Sequence, residues 1–64
     1  MIRHVVISSE LHSIGYAPEQ STLEVEFQSG GVYRYYAVPE VVFVALMSAQ
    51  SKGRYFNANI REVY

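Results

Sequence analysis

The clearest pattern of the chain is the alternation of Leu23, Val25 and Phe27 with Thr22, Glu24 and Glu26. Apolar and polar residues exchange every second position, which is the period of a strand with one face buried. Gln28-Ser29-Gly30 reads as a turn, and a second strand follows through Val32-Tyr33-Arg34-Tyr35-Tyr36. Loop length sets the register. A two-residue loop at Ser29-Gly30 would set Val25 opposite Arg34 and Tyr33 beside Glu26. A three-residue loop, with Gly30 left-handed in a bulge, sets Val25 opposite Tyr33 and Leu23 opposite Tyr35. It also sets Glu24 across from Arg34, a favourable charge pair. Every alternate choice agrees only in the longer loop, so that register is expected. Tyr33 and Tyr35 then form a structural motif on the buried face, and Tyr36 faces outward with Thr22 and Arg34.

Upstream, Val5-Val6-Ile7 is a β-branched run that opens a strand, and strand character resumes from Leu11 to Tyr16. Ser8-Ser9 between them reads as a bulge or kink. Ala17-Pro18-Glu19-Gln20-Ser21 is a turn fixed by the proline. After Val38 the period changes. Pro39 suits a first helical position and Glu40 the positive end of the dipole, so a helix is expected from Pro39 to Ser51. Its core face carries Val42, Phe43, Leu46, Ala49 and Gln50, with Phe43 and Leu46 as anchors. Val41, Val44 and Met47 leave the other side apolar. That side is either covered by sheet and tail or is an interface with a second copy or another protein. Gly53 suits the left-handed position after the helix, with Lys52 near the negative end. The remainder has no long period, and Tyr55, Phe56, Ile60 and Tyr64 are expected to fold back on the core. The expected fold class is α+β, in one domain spanning 1–64: a small three-stranded, mostly antiparallel sheet, one packed helix, and a C-terminal tail closing the core.

Composition narrows the function. The 64 residues are 50% hydrophobic, enough for a compact core, and contain no cysteine. There is therefore no disulfide framework and no thiolate metal site. No apolar run reaches the roughly 18 residues of a membrane helix, and the amino terminus lacks a signal-peptide pattern. A soluble, cytoplasmic protein without a membrane partner is expected. The net charge is -1, but it is unevenly spread. Residues 1–51 hold Arg3 and Arg34 against five glutamates, net -3. Residues 52–64 hold Lys52, Arg54 and Arg61 against Glu62, net +2.

Candidate chemistry is sparse. Glu24 and Glu26 share a strand face, where paired carboxylates can act as acid and base, but a solvated outer face is the expectation. His4, Glu10 and His12 match no metal-ligand spacing. No nucleophile elbow, phosphate-binding loop or dinucleotide glycine pattern is present. The chain reads as no enzyme, with no cofactor and no metal. Lys52-Gly53-Arg54-Tyr55-Phe56 has the basic–glycine–aromatic order of an RNA-recognition-motif strand but follows a helix end. What remains is a set of tail cations able to hold phosphate while the Tyr55 ring stacks on a base.

The ordered series Ser8-Ser9, Ile14-Gly15-Tyr16, Leu23-x-Val25-x-Phe27, Gly30, Tyr33-x-Tyr35, Val38-Pro39, Leu46, Ala49-x-Ser51-x-Gly53-x-Tyr55-Phe56-Asn57, Ile60-Arg61 and Tyr64 resembles the KTSC domain. Tyr33-Arg34-Tyr35 stands at that family's Y-x-Y hallmark. The domain is named for the carboxy-terminal end of some lysyl-tRNA synthetases and also occurs as small free-standing bacterial proteins. The resemblance implies RNA binding. The expected function is a non-catalytic binding module for RNA or a nucleotide-like anion, through Arg34, Tyr36, Lys52, Arg54, Tyr55 and Arg61. The alternative is a protein-interaction or homodimerisation module built on Val41, Val44 and Met47.

Overall fold

The computed structural model describes all 64 residues. Four strands, Arg3–Val5 (β1), Leu11–Ala17 (β2), Thr22–Phe27 (β3) and Val32–Tyr35 (β4), form one antiparallel sheet in chain order. Two helices follow, Glu40–Ser48 (α1) and Lys52–Asn59 (α2). The inner sheet face contributes Leu11, Ile14, Tyr16, Leu23 and Val25 to the core, and Val38, Leu46, Phe56 and Ile60 close it from the helical side. The α+β class stands, with one more strand and one more helix than the sequence pattern indicates.

The β3–β4 register is the expected one: Val25 faces Tyr33, Leu23 faces Tyr35 and Glu24 faces Arg34. Gln28, Ser29 and Gly30 make the three-residue loop. Phe27 N–H donates to the Gly31 carbonyl at 2.8 Å, and Gly30 has φ +105°.

The additional strand comes from the amino terminus. Ser8-Ser9 is not a bulge within one strand but part of a chain reversal that pairs His4 with Ile14. Ser8 Oγ accepts the N–H groups of Glu10 and Leu11, both at 3.2 Å, which closes the reversal without a glycine. Pro18–Gln20 forms a single 3-10 turn, with Ser21 left-handed at φ 50°.

The helix expected over 39–51 ends earlier, at Ser48, and a second helix begins at Lys52, beyond the expected span. Ala49 leaves α1 with extended backbone (ψ 138°), and Ser51 starts α2 by accepting Arg54 N–H on its hydroxyl at 3.4 Å. The C-terminal tail is therefore largely helical. Gly53 lies in the first turn of α2 rather than at a left-handed cap. Its requirement is close approach, because a Cβ there would stand 2.7 Å from Glu10 Oε1. Phe43 and Leu46 anchor α1 as expected: Leu46 is fully buried and Phe43 stacks on Tyr16 with ring centroids 5.0 Å apart. Met47 is not part of an outer apolar face. It packs against the core, while Val41 and Val44 stay exposed.

Candidate functional site

Tyr33 and Tyr35 share the inner sheet face, but only one of them is covered. Phe56 of α2 reaches both Phe27 and Tyr35 edge-on, at 5.4 and 5.5 Å between centroids. The helical layer stops there. Tyr33 lies past it, edge-on to Phe27 at 5.4 Å and 57% exposed. Burial of Tyr33, expected from its side of the strand, is thus corrected. Facing inward buries a ring only where something stands opposite.

The uncovered end of the sheet is a groove of about 480 Å³ between the β3–β4 turn, the loop before β2 and the turn after α2. Phe27, Tyr33 and Tyr35 form its aromatic side, and Glu10 and Arg61 are its charged side chains. The Tyr33 ring lies against Gly31, where a Cβ would stand 2.9 Å from Tyr33 Cε1. Burial pushes the Tyr35 phenol above its ordinary value, the nearby Arg61 charge opposes that, and Tyr33 adds to it.

Glu10 and Arg61 do not pair with each other. Asn57 stands between them, one turn before Arg61. Its amide nitrogen donates to Glu10 Oε1 at 3.3 Å, and its amide oxygen accepts from Arg61 Nη1 at 3.1 Å. All three ion pairs of the molecule lie elsewhere, on the outer sheet face. There Glu24, almost buried, takes Arg34 Nε on Oε2 at 2.7 Å and Arg3 on Oε1, while Arg3 also reaches Glu26 at 3.3 Å. Ser13 donates to Glu26 at 2.9 Å. The expected solvated glutamate pair is therefore a bonded lattice. The two arginines, Arg34 first, hold the Glu24 carboxyl below the usual carboxylate range.

The six residues expected to bind nucleic acid do not gather in one place. Arg34 and Tyr36 lie on the outer face, Arg34 in its ion pair and Tyr36 64% exposed. Lys52 turns back to cap the Ala49 carbonyl at 3.0 Å, and Tyr55 packs partly against the core. Arg54 lines a second depression that adjoins the groove through Glu10. Arg61 alone stands in the groove with the tyrosines. Glu10 and Asn57 carry no sequence signal as a pair, being 47 residues apart. The Asn57–Arg61 spacing of four was legible only once that segment was known to be helical. No group of three histidine or carboxylate side chains is placed to hold a metal ion, and no helix is long and apolar enough to cross a membrane.

Comparison with known proteins follows the same outline. The chain is 58% identical over 57 residues to an uncharacterized protein of Stutzerimonas stutzeri, covering 89% of this chain and 80% of that one. It is 46% identical over 46 residues to a lysine–tRNA ligase of Nostoc sp., where the match spans 72% of this chain but only 8% of the ligase. It superposes on the crystal structure of a KTSC domain protein from Yersinia pestis with a TM-score of 0.94 and 44% identity, over 97% of this chain and 87% of that one. Residues 7–64, a span that includes every residue of the groove, match the KTSC domain, and the chain belongs to that family.

Proposed function

We propose that the chain is a non-catalytic module that binds single-stranded RNA, or a nucleotide of the same chemistry, in the groove beside Tyr33, and that it works in the cytoplasm. One observation carries this reading: an exposed ring shares a groove with a guanidinium that no protein carboxylate pairs with. A base stacked on an exposed aromatic contributes roughly 1–3 kcal/mol. A cation held only by a neutral amide keeps its charge for a phosphate. The related segment within a lysine–tRNA ligase, an enzyme whose name includes tRNA, supports the same reading. Arg61 and Arg54 are few cations in a molecule of net charge -1, so affinity is modest and rests more on stacking than on charge.

Fluorescence anisotropy with a short labelled single-stranded RNA at two salt concentrations tests the proposal. Binding that weakens with salt, about tenfold weaker in Tyr33→Ala and with a shallower salt slope in Arg61→Ala, is expected. Binding indifferent to both variants contradicts it.

Val41 and Val44, 71% and 51% exposed on α1, favour a second reading as an interface with another copy or a partner protein. Sedimentation of the wild type and Val44→Glu decides between them for self-association. A dimer lost in the variant supports this reading, and a monomer throughout removes the homodimer.

A further inference from the structure

We infer that the groove selects guanine, with Glu10 accepting from the two adjacent donors on its base-pairing edge; this rests on the RNA-binding reading above. The groove holds one anion and one cation, and each is hydrogen-bonded to Asn57 rather than to the other. A ligand therefore meets an acceptor and a donor in one groove. Glu10 is exposed, and two contacts orient its carboxylate. Its Oε1 lies against the Gly53 backbone in the first turn of α2 and takes the Asn57 amide, while Oε2 has no partner. The loop that carries it is tied to the sheet by Gln28 N–H on the Glu10 carbonyl at 2.8 Å. Gln28 is itself committed, since its amide nitrogen bonds the Ser8 and Leu11 carbonyls at 3.2 Å each.

A carboxylate only accepts hydrogen bonds. Of the four RNA bases, guanine alone presents two neighbouring donors, N1–H and the 2-amino group, with a spacing that suits the two oxygens of a carboxylate. Adenine and cytosine set a ring acceptor beside their amino group, and uracil flanks its one donor with two carbonyls. Each would direct a lone pair at Glu10. Tyr33 lines the same groove and is the exposed ring open to stacking, and Arg61 is left for the phosphate. Glu10 is exposed, so water takes up its oxygens where the donor pair is missing, and the discrimination is modest.

The experiment compares the pentanucleotides UUGUU, UUAUU, UUCUU and UUIUU, where I is inosine and lacks only the 2-amino donor. UUGUU is expected to bind about tenfold more tightly than UUAUU and UUCUU, with UUIUU between. Glu10→Gln is expected to erase the preference for UUGUU while keeping the affinity for UUAUU. Equal binding of all four, equal binding of UUGUU and UUIUU, or a preference that survives Glu10→Gln overturns guanine selection and leaves the RNA-binding reading standing. No binding of any of the four overturns both.

Discussion

Gly30 and Gly31 stand side by side in the β3–β4 turn, and they are needed for different reasons. At φ +105°, Gly30 has backbone that a side chain makes costly. Gly30→Ala is expected to destabilise the fold by roughly 1–2 kcal/mol, seen as a lower midpoint in chemical denaturation. Gly31 has no positive φ, yet a Cβ there would stand 2.9 Å from the Tyr33 ring. Gly31→Ala should therefore swing the ring away from the groove, weakening RNA binding more than stability. Anisotropy and denaturation on the same pair of variants separate the two roles, and equal effects of both substitutions on both readouts would refute the distinction. The requirement at Gly30 was legible in the sequence, because the hairpin register demanded it. The requirement at Gly31 was not, because it depends on which way an exposed ring lies.

Among the elements, those with a repeating pattern were legible and those without one were not. The alternation in β3 fixed the pairing with β4 down to Glu24 opposite Arg34. β1 has three residues, all exposed, and so shows no alternation to read. α2 contains Gly53 and two asparagines, all poor helix formers, and Ser51 looked like the end of a helix rather than the start of the next. Packing makes this helix: Phe56 is 1% exposed and Ile60 fully buried. Phe56 also lies edge-on between Phe27 and Tyr35, so it couples the core to the groove. Phe56→Ala is expected to cost about 4 kcal/mol, measured by urea denaturation. A loss under about 1 kcal/mol would mean that α2 is not held this way. The site was half legible for the same reason. Arg61 was identified from charge alone, whereas the exposure of Tyr33 depends on where the helical layer ends, and Glu10 joins through a contact from the far end of the chain.

For the molecule as a whole, charge on the outer face and charge in the groove do different work. Arg3, Glu24, Arg34 and Glu26 neutralise one another across three strands. The Glu24 carboxyl is held below its ordinary value of 4.5 in the folded state, so the unfolded chain binds its proton first as pH falls. Its contribution to stability is thus present above about 4.5 and is lost as pH drops through the lower folded value. Denaturation midpoints should fall on acidification below that point, and Glu24→Gln should flatten the fall while lowering stability at neutral pH. A variant with the wild-type acid profile would contradict this role. The groove, by contrast, keeps its two charges unspent, and the central claim is that this is where a ligand binds. Titration of isotopically labelled protein with short single-stranded RNA, followed by two-dimensional NMR, tests that claim most directly. The account expects the shifted resonances to cluster at Tyr33, Tyr35, Glu10, Asn57 and Arg61. Shifts centred on Arg34 and Tyr36 of the outer face, on Val41 and Val44 of α1, or on no residue at all would contradict it.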